Sequence, residues 1–99
     1  MVFVKVYRGM DWSAEKWREL YSALEEGIKE VVNDNPIRIV FPYLCEGINK
    51  ESFLAIEIST EESYDKRLAI KQKVERRIKE QFDLDGAPLQ VSVRKCLES

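Results

Sequence analysis

Histidine is absent from this 99-residue chain, and so are a glycine-rich phosphate loop and a metal-ligand cluster. Without histidine, the common general base and metal ligand at neutral pH is missing. Cysteine is nearly absent too. Cys45 and Cys96 are too few for a zinc site, and a reducing cytosol keeps them as inert thiols rather than a disulfide. No apolar run approaches the roughly 20 residues needed to span a bilayer. Met1-Val2-Phe3-Val4-Lys5 enters a strand directly, without the basic start and apolar stretch of a secretory leader. An excess of one charge is also lacking. Sixteen basic and 18 acidic residues leave a net charge of −2, so no whole-domain attraction to nucleic acid or an anionic membrane is indicated. These absences together predict a soluble, cytoplasmic protein with no cofactor, no metal and no membrane partner.

What remains is compatible with one small folded domain over residues 1–99. Hydrophobic residues make up 44% of the chain, enough to build a core without staples. The charged fraction, 34%, exceeds the usual quarter and is compatible with a thermophilic source. There is no linker, internal repeat or low-complexity segment.

Periodicity supplies the elements. Val2, Val4 and Val6 alternate with Phe3, Lys5 and Tyr7, the period of a strand. Gly9 closes it, and Asp11 or Ser13 can cap the helix that follows. Trp17, Leu20, Tyr21, Leu24, Ile28, Val31 and Val32 then fall on one helical face. Asn33-Asp34-Asn35-Pro36 ends it. In a second strand Ile37, Ile39, Phe41 and Tyr43 alternate with Arg38, Val40, Pro42 and Leu44. Pro42 cannot donate to a ladder, so this strand belongs at a sheet edge. A turn through Glu46-Gly47-Ile48-Asn49-Lys50 leads to a third strand, with Leu54, Ile56 and Ile58 opposed to Phe53, Ala55 and Glu57. Ser59 and Glu62 have capping-box spacing for a second helix reaching about Phe82. Asp83-Leu84-Asp85-Gly86 is its exit and reads as a turn, not a cation site. A last strand follows Pro88, with Leu89, Val91 and Val93 facing one way and Gln90, Ser92 and Arg94 the other.

The order β-α-β-β-α-β predicts an α+β, ferredoxin-like domain: a four-stranded antiparallel sheet with two helices on one face. The first and third strands lie at its centre, the second and fourth at its edges. The face away from the helices carries Phe3, Lys5, Tyr7, Arg38, Val40, Leu44, Phe53 and Arg94. Its apolar share is too large for a surface meant only for water, and such a patch marks an interaction site. Self-association, as a homodimer or larger, is the leading use, through this face or a strand edge; a different protein partner is an alternative. The runner-up is single-stranded RNA, with bases stacked on Phe3, Tyr7 and Phe53 beside basic side chains. Against it, Glu51 stands where the RNA-recognition family places an aromatic residue, Lys50 where it places a glycine, and Glu57 adds charge that repels phosphate. A small-ligand sensor is a third reading.

The second helix is strongly basic, with Lys66, Arg67, Lys71, Lys73, Arg76, Arg77 and Lys79 against Glu75. The first is acidic, with Glu15, Glu19, Glu25, Glu26 and Glu30. Solvated inter-helix ion pairs account for this, with an anionic partner as the sharper alternative. Lys71 and Glu75 fall inside the arc of Leu68, Ile70, Val74, Ile78 and Phe82, where they either snorkel or lie at a subunit contact. Acylphosphatases share the expected fold and size, but Arg8-Gly9-Met10-Asp11 departs from their phosphate-binding loop. A non-enzymatic interaction domain is therefore expected.

The run Arg76-Arg77-Ile78-Lys79-Glu80-Gln81-Phe82-Asp83-Leu84-Asp85-Gly86-Ala87-Pro88 resembles the last helix and its exit in the cytoplasmic α/β domain of small-conductance mechanosensitive channels. It also resembles the approach to the final strand in the KH-like domain of Der-type GTPases. Each resemblance implies a domain that works by contact.

Overall fold

The computed structural model describes residues 1–33, 35–42 and 52–96. Its elements follow the expected order: β1 (Val2–Gly9), α1 (Ala14–Lys29), β2 (Ile37–Val40), β3 (Phe53–Thr60), α2 (Tyr64–Gln81) and β4 (Leu89–Lys95). The sheet order is β2-β1-β3-β4. The central pair β1·β3 is antiparallel, whereas β1·β2 and β3·β4 are parallel.

This corrects the ferredoxin-like, all-antiparallel expectation. The centre is as expected, but each edge strand lies beside the strand that precedes it in its own β-α-β unit. Side-chain alternation reports which face a residue occupies, and it reads the same for either edge arrangement. The connection is the distinguishing feature. Residues 41–52 separate β2 from β3, far more than a tight hairpin turn needs. The two strands they join lie on opposite sides of β1. β2 also stops at Val40, leaving Phe41 and Pro42 outside the ladder. Leu44, Cys45, Lys50 and Glu51 lie outside the described residues.

The two halves repeat one geometry. Val2 lies opposite Ile37 and Leu54 opposite Leu89, with equal sequence offsets. The Val2 N–H donates to the Pro36 carbonyl at 2.9 Å, and the Leu54 N–H to the Pro88 carbonyl at 3.0 Å. Laying one half on the other places Val2 on Leu54, Phe3 on Ala55, Lys5 on Glu57 and Tyr7 on Ser59. Lys5 and Glu57 are also direct partners across β1·β3, so a pseudo-twofold axis passes between them.

Both helices cover the Val2-Val4-Val6 and Leu54-Ile56-Ile58 face, where all six side chains are buried. Full burial of each such side chain contributes about 1.5–3 kcal/mol. From α1 come Leu20, Ala23, Leu24 and Ile28, and from α2 Ile70, Val74 and Ile78. Tyr21, expected on the inner face of α1, is 38% exposed, and Leu68 of α2 is 41% exposed. Gly27 is buried in α1 and faces α2. A Cβ there would lie 3.1 Å from Arg77 Cδ, so the missing side chain lets the Arg77 stem cross α1 closely.

Ser13 caps α1, its Oγ accepting from the Lys16 N–H at 3.3 Å. Ser63 caps α2 in the same way, accepting from Lys66. The Ser59–Glu62 capping box is therefore corrected: Ser59 and Thr60 still belong to β3, where their ladder bonds to β1 outcompete a helical start. At the α2 exit, Asp83 Oδ1 accepts the Asp85 N–H at 2.9 Å, and Asp85 and Gly86 take positive φ angles of 51° and 81°. At this end of the sheet Trp12 stacks on Phe82 with ring centroids 5.4 Å apart and meets Trp17 at 4.7 Å.

Candidate functional site

The register arranges the uncovered sheet face in rows. Arg38, Phe3, Ser59 and Arg94 form one row, and Val40, Lys5, Glu57 and Ser92 the next. Tyr7, Ala55 and Gln90 form a third, and Gly9 and Phe53 close the series. Every sequence-expected face residue that is described occupies this side. Phe3, Tyr7, Val40 and Phe53 are half-buried, while Lys5, Arg38 and Arg94 are exposed.

Chemistry concentrates at one point on it. The Tyr7 hydroxyl donates to Glu57 Oε2 at 3.2 Å, joining adjacent rows across the central strands. Desolvation raises the Tyr7 pKa above 10.0, and the charge and hydrogen bond of Glu57 add to the rise, with Arg94 opposing them. The phenol is thus kept protonated through the neutral range, beside a carboxylate able to receive a proton. Cations surround the pair. Arg94 acts on Tyr7 through its charge, and Lys5 is the direct cross-strand partner of Glu57. Lys5 Nζ also lies 6.0 Å from the Phe3 ring centroid. A proton donor, a proton acceptor and fixed positive charge within a few residues can bind a small carboxylate and shift a proton on it.

Glu57 was legible on this face from alternation, yet in the sequence it counted only as a repulsive charge. Its partnership with Tyr7 depends on cross-strand register, which period-two patterning does not reveal.

The basic residues of α2 do not converge on this site. Lys73 pairs with Glu30 at 3.2 Å, and Arg77 reaches both Glu26 and Glu30 across the helix contact. These bonds lower the Glu30 pKa, the Lys73 hydrogen bond first and the Arg77 hydrogen bond next. Lys66 pairs with Glu62 at 3.5 Å, and Arg67 lies 5.9 Å from the Tyr64 ring centroid. Lys71, Arg76 and Lys79 are exposed, and Glu75 is half-buried. Lys71 thus lies outside the apolar arc. Cys96 is an exposed thiol. Among the described residues, no three His, Cys, Asp or Glu side chains gather as a metal site. No helix among them is long and apolar enough to cross a membrane.

No protein-family model and no curated protein matches this chain. Solved structures do. A fused 4-OT, described as a wild-type symmetric trimer, superposes with a TM-score of 0.71 at 9% identity, covering 95% of this chain and 85% of the other. MIF2 of Leishmania major gives 0.68 at 14% identity, with 97% and 89% covered. A malonate semialdehyde decarboxylase gives 0.64 at 8% identity, with 95% and 84% covered. Its description names decarboxylase and hydratase activities and a variant with its first-position proline changed to alanine.

The fold is that of the tautomerase and MIF group. At such identities the likeness concerns the fold alone, and it overturns several expectations. The resemblances to the mechanosensitive-channel domain and to the Der-type KH-like domain rested on a short helix exit, and the whole-chain superpositions lie elsewhere. The non-enzymatic interaction domain gives way, because structures of this fold include a tautomerase and a decarboxylase. The RNA-binding and ligand-sensor alternatives gain no support from these neighbours. The homodimer expectation gives way as well, since the fused 4-OT is a trimer.

Proposed function

We propose that this protein is a homotrimeric enzyme that moves a proton on a small oxo-carboxylate, with Tyr7 and Glu57 as its acid–base pair. The observation that carries the reading is the hydrogen bond between these two side chains at the centre of the uncovered sheet face. The neighbours lend support through their own chemistry, a tautomerase and a decarboxylase of a three-carbon oxo acid. A cytoplasmic setting is part of the proposal.

The mechanism follows from the site. Arg94 and Lys5 attract the substrate carboxylate. The Glu57 carboxylate removes a proton from the carbon next to the carbonyl and becomes a carboxylic acid. The C–H electron pair forms the enol double bond as the carbonyl π pair moves to oxygen. The Tyr7 hydroxyl, turned from Glu57, supplies that oxygen with a hydrogen bond and then its proton. Return of the Glu57 proton to carbon, and of the enol proton to Tyr7, restores both groups. β1 contains no proline, and Val2 at its head is fully buried under the helices. The chemistry is therefore assigned to the Tyr7–Glu57 pair, not to the head of β1.

The test is deuterium exchange at C3 of 2-oxobutyrate in D2O, followed by proton NMR. Exchange above the buffer rate is expected, with Glu57→Gln slowing it by about 10²–10⁴-fold and Tyr7→Phe by less. A wild-type rate equal to buffer, or a Glu57→Gln rate equal to wild type, overturns the proposal. Light scattering checks the assembly, with three times the single-chain mass expected.

A further inference from the structure

The solvent face of α2 carries a shallow groove of about 360 Å³, lined by Gln72, Glu75, Arg76, Lys79 and Glu80. Glu75 is half-buried and the other four are exposed. The charges around the groove are spaced to pair along the helix, Glu75 with Lys79 and Arg76 with Glu80. The same Glu-to-Lys spacing closes at Glu25–Lys29, at 3.0 Å, and at Glu62–Lys66, at 3.5 Å. Among the described residues, no ion pair joins Glu75 to Lys79 or Arg76 to Glu80. Arg77, between them in sequence, turns the other way and is held by Glu26 and Glu30 of α1. Two cations and two carboxylates therefore border one opening without closing it among themselves.

An occupant of one charge sign would be repelled by two of these four groups. The groove calls for both signs in reverse order, and the chain itself contains that pattern. Glu75-Arg76-Arg77-Ile78-Lys79-Glu80 has the same succession of signs read in either direction. We propose that the groove is the contact for a second copy of α2, antiparallel to the first about a twofold axis between residues 77 and 78. At a rise of about 1.5 Å per residue, this axis brings Glu75 of one copy within one residue of the level of Lys79 of the other. Arg76 and Glu80 are matched in the same way. The contact is self-complementary, so each kind of ion pair is made twice. Surface ion pairs are individually weak and screened by salt, which makes the association weak and salt-dependent. The contact goes beyond the homotrimer, since it joins one assembly to another.

The test is sedimentation of the full chain over a concentration series in about 20 mM and about 500 mM sodium chloride, which bracket weak and strong screening. The mass in low salt is expected to reach twice the mass in high salt, whichever assembly persists in high salt. Two variants then exchange the charges. Arg76→Glu with Lys79→Glu makes the groove wholly acidic, and Glu75→Lys with Glu80→Lys makes it wholly basic. Each variant alone is expected to keep its high-salt mass in low salt, and an equimolar mixture of the two to regain the doubled mass. Circular dichroism melts check that both variants fold, and the salt series on the wild type stands without them. An unchanged wild-type mass across the salt range, or folded variants whose mixture does not associate, overturns the contact and leaves the homotrimer untouched. A doubling from one chain to two overturns the homotrimer and leaves the contact standing. Polyglutamate that shifts the ¹⁵N-labelled amides of Gln72 to Glu80, with no doubling of mass, assigns the groove to an acidic partner and overturns the contact.

Discussion

The two faces of one strand, β3, are built to different rules. Leu54, Ile56 and Ile58 point under the helices and are fully enclosed by aliphatic neighbours. Phe53, Ala55, Glu57 and Ser59 point the other way and include a charge, a hydroxyl, a methyl and a ring. The inner set is interchangeable in kind, and its contribution depends on volume and packing density. The outer set is not interchangeable, because each member differs from its neighbour in chemistry. Uniformity marks the face that holds the fold together, and heterogeneity marks the face where chemistry is proposed.

Adjacent substitutions give the largest test of that contrast. Ile56→Ala is expected to cost about 2–5 kcal/mol, since it leaves a cavity between sheet and helices. Glu57→Ala, one residue away, is expected to cost about 1 kcal/mol at most, the value of one partly exposed hydrogen bond. Urea midpoints should separate the two variants clearly; equal midpoints would break the comparison.

A smaller effect distinguishes strand from cap. Ser63→Ala is expected to lower stability by about 1 kcal/mol, as loss of an N-cap does. Ser59→Ala should change it by less than about 0.5 kcal/mol, because that residue lies in a ladder on the open face. A reversed order in thermal melts would restore the earlier helix start.

Tyrosine ionisation sharpens the description of the outer face. The Tyr7 pKa is raised, so its folded form favours the proton; any stability from this is present below 10.0 and lost as pH rises through the folded pKa. Absorbance titration should find one tyrosine ionising above the ordinary phenol value. Glu57→Gln should bring it back toward the ordinary value. An unchanged curve would mean that Glu57 does not act on Tyr7.

The smallest effect lies outside both faces, at the helix contact. The Glu30 pKa is lowered by its bonds to Lys73 and Arg77, so its contribution is present above 4.5 and lost as pH falls through the folded pKa. Glu30→Gln should make stability slightly less dependent on pH in the acid range, and added salt should reduce the difference.

The order of elements, the helix-facing valines and isoleucines, and the membership of the open face were all legible from periodicity. Strand adjacency was not. Alternation assigns Ile37 and Leu89 to the inner face, but it is blind to which central strand each edge strand joins. The cross-strand hydrogen bond of Tyr7 was hidden for a related reason, since register emerges only when two distant segments pair. Tyr21 and Leu68 were misplaced because helical spacing gives an arc, whereas Gly27 and the Arg77 stem decide how closely the helices approach.

The equal offsets of the two halves have a consequence for the order of the chain itself. Each β-α-β unit brings its own edge strand and its own helix cover, and the halves meet along one antiparallel ladder, from Val2–Thr60 to Gly9–Phe53. A circular permutant running β3-α2-β4 and then β1-α1-β2, joined by a linker as long as residues 41–52, would build the same sheet. Expressed as two separate polypeptides, the halves would each carry a central strand with one free edge, and that edge is the one its counterpart completes.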